Sequence, residues 1–322
     1  MEYTRKSIQR SPFIRPILAS KPEFSIHVGD IWGVNKCSET EYERHRDFFK
    51  EYDHPVIYTP GDNEWADCAP FEHLETVSRF VAGNASEDDL KIIIGGTNLE
   101  GGFKRQLYGD WRSGLDGIRK TFFATNKSLG QHPITLTRQA DVSEFNEIVE
   151  NAIWEHEDVV FGTVHVSGSA NNFAINEEAR ALEAIARTRA NFDWVKRIFS
   201  EAQSIDASAV VIALHASLFQ DGDGGTFTGQ QVRGGQEGAY YWMVRSIRDR
   251  AAEFGHPVLL VHGDFHEFIV DRPFLVSQGE FAEPKYANIT RLQVYGAPEI
   301  KAVQVTVDTE TPWVSSFSPL HN

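Results

Sequence analysis

The chain has 322 residues, 41% of them hydrophobic, and a formal net charge of -15. A chain of this length and composition can bury a substantial core, as one large α/β domain or two small ones. The negative charge argues against nucleic acid or an anionic membrane surface as the main partner, and no run approaches the roughly 18 apolar residues that a membrane span requires.

The first half of the chain predicts helices separated by a glycine-containing segment. Residues 39–52 predict a helix, because Tyr42 and Phe48 lie among charged residues and a proline follows. Residues 71–81 predict a second helix. Residues 83–120 contain many glycines and predict a loop-rich insertion that forms a rim over a functional site.

The second half of the chain predicts strands that alternate with helices. The predicted strands are residues 159–166, 206–214, 258–261 and a terminal pair formed by 288–295 and 301–307. The predicted helices are residues 177–202 and 240–254, and a mobile loop is predicted over 222–238. Alternation of this kind indicates an α/β fold with two sheets and outer helices. No linker divides the chain, so residues 1–322 are expected to form a single domain.

Four predicted strands end in acidic or imidazole side chains. These residues are Asp30 after 24–28, Asp62 after 55–58, His215 after 209–214, and Asp264 with His266 after 257–261. The carboxyl ends of strands in α/β sheets are where ligands bind, so we expect these side chains to converge. Carboxylate and imidazole ligands together suit manganese, iron or zinc. The sequence therefore predicts a divalent-metal site at one sheet edge.

The order and spacing of these residues resemble the motif series of the calcineurin-like metallophosphoesterases. The matching segments are Gly29-Asp30, Gly61-Asp62-Asn63-Glu64, His215 and Gly263-Asp264-Phe265-His266. Segments 58–65 and 262–266 resemble a little-characterised branch of that family, and the resemblance extends over roughly residues 20–310. It implies a four-layer α/β/β/α sandwich of two mixed sheets flanked by helices. It also implies a site for two metal ions and hydrolysis of a phosphate mono- or diester by a metal-activated water.

The resemblance assigns a role to each residue of the predicted metal site. Asp30 matches the carboxylate that bridges two metal ions, and His215 matches the lone histidine ligand of the second ion. Asp62 stands where the family has an asparagine ligand, and Asp264 stands where it has the first histidine of its last motif. His266 matches the second histidine of that motif, a ligand of the first ion.

Three asparagines are candidates for catalysis or substrate binding. Asn63 stands where the family places a histidine that stabilises the transition state or protonates the leaving group. An asparagine can donate a hydrogen bond, but it cannot transfer a proton near neutral pH. Asn171 and Asn172 are candidates for contact with substrate. The alternative is a turn over 167–172 that serine and asparagine side chains stabilise.

Two departures from the family pattern bear on activity. Aspartate replaces a neutral ligand at positions 62 and 264, which makes the site more anionic and adds magnesium and calcium to the candidate ions. The family's first motif, a strand that ends in aspartate, has no match, because residues 1–23 contain no Asp and no His. We expect either a chain that lacks its first strand and first metal motif, or a true loss of one ligand.

These departures leave two functions open. The first is a metal-dependent phosphoesterase that acts on a small phosphorylated substrate, whose negative charge the bound cations would balance. The second is a degenerate metal-binding module of the same fold without turnover.

The two cysteines of the chain, Cys37 and Cys68, each follow a candidate ligand loop. If the Asp30 and Asp62 loops meet, the two thiols come close enough to form a disulfide; the alternative is two unpaired cysteines. A zinc site made from these two alone is not expected, because structural zinc usually has four ligands. A disulfide would imply a secreted or periplasmic location, although no apolar signal region begins the chain, and free thiols would fit the cytoplasm.

Overall fold

The computed structural model describes residues 14–33, 37–68, 111–173, 178–219, 240–274, 284–308 and 315–321. The helices are α1 (Ile14–Ser20), α2 (Glu39–Phe49), α3 (Trp111–Phe122), α4 (Gln139–Val142), α5 (Glu178–Ser204) and α6 (Tyr241–Phe254). The strands are β1 (Ser25–His27), β2 (Val56–Tyr58), β3 (Thr137–Arg138), β4 (Ala152–His156), β5 (Val159–Thr163), β6 (Ala209–Ala213), β7 (Val258–His262), β8 (Ile269–Asp271), β9 (Ile289–Gln293), β10 (Val303–Val307) and β11 (Ser315–Pro319). The predicted helix over 71–81 and the predicted loop over 222–238 lie outside the described residues.

The main sheet has seven strands in the order β3-β4-β5-β6-β7-β9-β8. Strands β5, β6, β7 and β9 run parallel, and the antiparallel strands β3, β4 and β8 lie at the two edges. β6 and β7 are buried along their whole length, which accounts for their continuous apolar runs. The fold is therefore mixed α/β, and parallel pairing brings the carboxyl ends of β6 and β7 to the same edge.

Two smaller sheets accompany the main one. β1 and β2 pair in parallel, and β10 and β11 pair antiparallel. The predicted terminal pair of 288–295 with 301–307 is wrong, because β9 lies between β7 and β8 in the main sheet. The side chains of β9 are mostly buried, whereas those of β10 alternate between half-buried and exposed. The two strands therefore suit different surroundings, although they are neighbours in sequence.

Alternate residues of the main sheet face two different hydrophobic clusters. On one face, Val210 and Leu260 pack with Trp194 of α5 and Val244 of α6. On the other face lie Val211, Leu259 and Ile57 of β2. Partly buried side chains of the β10–β11 hairpin pack against that second cluster: Val303, Val305, Val307 and Phe317. The main sheet is thus covered by helices on one side and by strands on the other.

A third cluster joins the N-terminal helices to the β1–β2 sheet. It contains Ile14 of α1, Phe49 of α2, Ile118 of α3 and Tyr58 of β2. Helix α2 begins after Ser38, whose hydroxyl accepts a hydrogen bond from the backbone N–H of Glu41. Among the described residues, no helix combines the length and the apolar character of a membrane span.

The C-terminal part of the predicted insertion over 83–120 is a helix, α3, rather than a loop. Its glycines serve close packing. A Cβ atom at Gly114 would lie 2.7 Å from Cys68 Sγ and 2.9 Å from Trp65 Cα, and one at Gly117 would collide with the ring of Tyr42. The glycine content of this segment therefore predicted a loop, whereas these glycines lie in a helix and leave room for neighbouring side chains and backbone to pack closely. Residues 83–110 lie outside the described part of the chain.

Candidate metal centre

The ends of strands from two different sheets meet at one point. Because β1 and β2 are parallel neighbours, the loops that carry Asp30 and Asp62 leave the small sheet at the same edge. His215 follows β6 of the main sheet, and its Nδ1 lies 2.6 Å from the carbonyl oxygen of Val28. This hydrogen bond joins the edges of the two sheets beside both carboxylates.

Asp30, Asp62 and His215 form a compact group of potential metal ligands, with one ligand atom of each within 4.8 Å of the others. His215 Nε2 is 3.1 Å from Asp62 Oδ1 and 3.6 Å from Asp30 Oδ1. Two ligand atoms that each lie about 2.1 Å from one ion are about 3.0 Å apart at a right angle and about 3.4 Å apart at the tetrahedral angle. The observed spacings suit a single cation, so these three predicted ligands are brought together.

A backbone carbonyl group fixes the orientation of the His215 imidazole. A carbonyl oxygen can only accept a hydrogen bond, so His215 Nδ1 must carry the hydrogen that it donates to Val28. In the neutral ring, Nε2 is then the nitrogen with the free lone pair, and it faces Asp30 and Asp62. Metal-binding histidines commonly donate their other ring N–H to a carbonyl or carboxylate oxygen in this way.

Each carboxylate is held by a further hydrogen bond. Asp62 Oδ2 accepts a bond of 2.7 Å from the Ser169 hydroxyl, while its Oδ1 faces His215. Asp30 Oδ1 accepts a longer bond of 3.4 Å from the backbone N–H of Asn63. The two oxygens of Asp62 therefore have separate partners, one toward the candidate metal and one toward the protein.

Glu64, in the loop that carries Asp62, connects this loop to the loop that carries Asp30. Its side chain is completely buried, and Oε1 accepts a 2.7 Å hydrogen bond from the backbone N–H of Ile31. Burial raises the pKa of Glu64 to about 7. Burial and the charge of Asp62 also raise the pKa of the nearby Asp67 to about 6. The centre is thus surrounded by further carboxyl groups, whose negative potential favours a cation.

The charges of the three clustered ligands depend on one another. Burial, with the charges of Glu64 and Asp62, raises the pKa of Asp30 to about 8, although His215 opposes this. Burial alone would raise the pKa of Asp62, but its hydrogen bond with His215 and the charge of that ring lower it to about 2. Burial disfavours the imidazolium form of His215, yet the two aspartates outweigh burial and hold its pKa well above the usual value. A divalent cation would replace protons on Asp30 and His215.

Close approach of the ligand loops requires glycine. Gly29 has a φ of +91°, and a Cβ atom there would lie 2.6 Å from Gly61 Cα and 2.7 Å from His215 Nδ1. A Cβ atom at Gly168 would lie 2.5 Å from Asp62 Oδ2. Any larger residue would push the loops apart, so these glycines set the ligand spacing.

Asp264 and His266 do not belong to the compact group within the described residues. Asp264 Oδ2 accepts a hydrogen bond of 3.2 Å from the backbone N–H of Ser217, and its charge helps to raise the pKa of His215. His266 is exposed, and its ring lies against Gly296. The backbone is left-handed at both residues, with φ of 74° and 62°, and this turn after β7 leads His266 to the surface.

Asn171 and Asn172 use their hydrogen-bonding capacity inside the protein. The side-chain oxygen of Asn171 accepts from Arg187 and from the backbone N–H of Ser167. The side-chain nitrogen of Asn172 donates a 2.8 Å bond to Glu183. Both asparagines are buried, and these bonds suit the alternative of a stabilised turn over 167–172, while their contact with substrate stays a prediction. Asn63 is half-buried beside Asp30.

A disulfide joins Cys37 to Cys68, with a Cα–Cα distance of 5.6 Å. The predicted bond is therefore confirmed, and among the described residues no free cysteine remains. Both sulfur atoms lie beside the carbonyl oxygen of Glu64, at 3.7 Å and 3.6 Å. The bond thus ties the segment after Asp30 to the segment after Asp62, and a disulfide is consistent with an extracellular location.

Two residues without a clear signal in the sequence, Ser169 and Arg187, support the ligand Asp62. Ser169 donates to Asp62, and Arg187 fixes the turn that carries Ser169. Serine next to Gly168 was a weak signal for a turn. Arg187 lies within the long helix α5, where an arginine ordinarily faces solvent, so its burial could not be predicted from its position in the sequence.

No protein-family model matches the chain, and no curated protein matches it. The geometry of Asp30, Asp62 and His215 is therefore the basis for a functional proposal.

Proposed function

We propose that the protein is a metal-dependent phosphoesterase of the calcineurin-like type. The observation that carries this proposal is the convergence of Asp30, Asp62 and His215, with His215 Nδ1 bonded to a backbone carbonyl so that Nε2 can bind a cation. Two carboxylates and an imidazole suit manganese, iron or zinc, and the additional acidic groups also admit magnesium or calcium.

The packing of the described elements supports a four-layer α/β/β/α sandwich as the fold. Helices α5 and α6 cover one face of the main sheet. Strand β2 and the β10–β11 hairpin pack on the other face. Helices α1, α2 and α3 pack against β2 in turn. In this arrangement the clustered ligands lie at the shared edge of the two inner layers.

The chain's own residues would hold and orient the reactants. Asp30, Asp62 and His215 would bind the cation, and Ser169 would keep Asp62 in place. A bound divalent cation would polarise a phosphoryl oxygen and activate water for attack on phosphorus. Because the chain has a net charge of -15, cation binding is also what would make the site attractive to a phosphorylated substrate.

The resemblance implies two ions, and the clustered ligands account for one of them. We propose Asp30 as the residue that a second ion would share, because the resemblance gives Asp30 the bridging role and its short carboxylate has two oxygens, one for each ion. Asp264 remains a candidate metal ligand outside the compact group, because its charge helps to raise the pKa of His215.

The proposal is tested by metal analysis and hydrolysis assays on the same preparations. Protein purified without chelator is analysed for metal, then incubated with Mn²⁺ and an aryl phosphate monoester or diester. We expect wild type and His256→Ala to bind Mn²⁺ and hydrolyse at least one ester, because His256 is exposed and outside the centre. His215→Ala should lose both properties. A wild type that neither contains nor responds to metal would contradict the proposal.

A metal-binding module without turnover is the second candidate. Two observations favour it: Asn63 cannot transfer a proton, and His266 is exposed rather than grouped with the ligands. This function predicts wild-type protein that binds Mn²⁺ with the three ligands and hydrolyses neither ester. The same assays therefore distinguish the two candidates.

We also propose an oxidising compartment, secreted or periplasmic, on the basis of the Cys37–Cys68 bond. Thiol counting under denaturing conditions, with and without reductant, tests the bond in solution. Two thiols that react before reduction would contradict this location.

A further inference from the structure

The chain forms a left-handed helical turn directly behind the metal centre. Ser169, Ala170, Asn171 and Asn172 have φ angles of 47°, 54°, 56° and 61°. Residues other than glycine visit this region singly, and four in succession are unusual, because each Cβ is crowded by the following carbonyl oxygen. Such strain persists only where surrounding contacts enforce it, and it concentrates at functional sites.

Arg187 of α5 is the main contact that enforces the turn. Its guanidinium donates to the carbonyl oxygens of His165 and Asn171, at 2.9 Å each, and to the side-chain oxygen of Asn171. Glu183 accepts a further 2.7 Å bond from Arg187 Nε. Arg187 is 1% exposed and lies over the ring of Trp65 at 5.0 Å, so it is fixed on several sides.

Tyr240 closes the turn from the opposite side. Its hydroxyl donates to the carbonyl oxygen of Ser167 at 3.0 Å and accepts from the backbone N–H of Asn171 at 3.1 Å. Both ends of the turn are therefore held by one side chain from α5 and one at the start of α6.

The turn directs the Ser169 hydroxyl at the metal centre. Ser169 donates to Asp62 Oδ2, while Asp62 Oδ1 faces His215 Nε2. Gly168 lets the backbone approach the same carboxylate. With Oδ2 engaged by the hydroxyl, Oδ1 is the oxygen that Asp62 turns toward the other two ligands.

We propose that Ser169 is a positioning residue that makes Asp62 a one-oxygen ligand and so sets the selectivity of the centre against Ca²⁺. This inference rests on the proposed metal binding. Ca²⁺ takes six to eight oxygens and readily uses both oxygens of a carboxylate, whereas smaller divalent ions are satisfied by fewer ligands. Removing the hydroxyl frees Oδ2 and removes the restraint on Asp62.

Ser169→Gly is the sharpest test, because glycine favours the left-handed backbone and the change removes only the hydroxymethyl group. Ala170→Gly is the matched control, since it relieves the same kind of backbone strain one residue later and leaves the hydroxyl in place. Ser169→Ala is a second hydroxyl-free variant, and Ala170 already shows that alanine occupies this turn.

Calorimetric titration with Mn²⁺ and with Ca²⁺ measures the effect. We expect both Ser169 variants to bind Mn²⁺ about 10- to 100-fold more weakly, the range for loss of a partner that orients a metal ligand. Their Ca²⁺ affinity should stay the same or rise, so that the Mn²⁺ to Ca²⁺ affinity ratio drops at least about tenfold. Ala170→Gly should keep the wild-type ratio. A change in this ratio is not expected from a loss of stability alone.

Two outcomes would overturn the inference, and they are distinguishable. If wild type binds Mn²⁺ and both Ser169 variants keep its affinity ratio, the positioning role is wrong while the metal centre stands. If wild type binds neither ion, the proposed function and this inference fail together.

Discussion

Three ligand side chains share a small buried volume, and each proton on them competes with a cation for the same lone pairs. Asp62 is held as a carboxylate by His215, whereas Asp30 and His215 both have raised pKa values. Asp30 is therefore the group whose charge depends most on what occupies the centre. Two consequences can be measured at this single residue.

Asp30→Asn should abolish Mn²⁺ binding, because a neutral amide replaces an anionic oxygen 3.6 Å from His215 Nε2. The matched control is Asp53→Asn, since the Asp53 side chain is mostly exposed and its contact with the His54 ring lies outside the ligand group. Metal content after dialysis and Mn²⁺ titration measure the effect. Wild-type metal content in Asp30→Asn would disprove its assignment as a ligand.

Mn²⁺ affinity should rise with pH up to about 8. Burial and neighbouring carboxylates raise the pKa of Asp30 to about 8, so below that pH the incoming cation must displace its proton. The raised pKa of His215 acts in the same direction. We expect affinity to fall about tenfold per pH unit for each proton displaced. Titrations in buffers of different ionisation enthalpy count the released protons; an affinity that does not change from pH 6 to 8 would exclude this coupling.

Among single residues, the sequence predicts the roles of those that directly follow a strand. Asp30, Asp62 and His215 each follow an apolar run, and strand ends converge in α/β folds. Ser169 and Arg187 have no comparable signal, because their roles depend on a turn and a helix that approach the site from elsewhere in the chain. His266 was predicted as a ligand from the resemblance, and that role stays a prediction; the backbone is left-handed at Asp264 and His266, and the His266 ring lies at the surface.

Two local elements hold the ligand loops in register, the disulfide and the left-handed turn. A left-handed backbone costs about 1–2 kcal/mol for each residue other than glycine. The buried bonds from Arg187 and Tyr240 offset that cost, which ties the geometry of the turn to the packing of α5 and α6. The disulfide acts differently, because it restricts the unfolded chain as well as the folded one.

Cys37→Ser combined with Cys68→Ser should lower the free energy of unfolding by roughly 3–4 kcal/mol in the chain-entropy model. The bond spans 31 residues and connects the segments that follow Asp30 and Asp62, so Mn²⁺ affinity should fall as well. Urea denaturation and metal titration measure the two effects, with reduced wild-type protein as the matched comparison. Unchanged stability in both would mean that the bond does not constrain the loops.

Among the elements, long helices and buried parallel strands are the most predictable. The predicted helix over 177–202 differs from the observed Glu178–Ser204 by one or two residues at each end. Helix α3 was missed because its glycines make room for Cys68 and Tyr42, a requirement of packing that the sequence does not reveal. Strand β11 was missed because its pairing with β10 is set by tertiary packing against the main sheet.

In the molecule as a whole, alternating apolar strands and helices were enough to predict a mixed α/β fold, but not the order of its strands. β9 belongs to the main sheet, while the neighbouring β10 belongs to a separate hairpin. Period-2 patterning indicates which residues share a face, and it does not indicate which strand lies alongside.

The hydrogen bond between Val28 and His215 has a consequence for slow motions of the protein. This bond joins two separately hydrogen-bonded sheets at the point where the ligands meet, which we call the seam. A cation bound by both Asp30 and His215 would therefore hold the two sheets together at the seam. Deuterium exchange of the β1 and β2 amides should then slow about 100-fold when free Mn²⁺ is about 100 times its dissociation constant, provided that these amides exchange through opening of the seam. The amide of His256, an exposed residue outside the ligand group, would serve as the internal reference. If Mn²⁺ does not change the exchange rates of the β1 and β2 amides, the two sheets separate without disturbing the ligands.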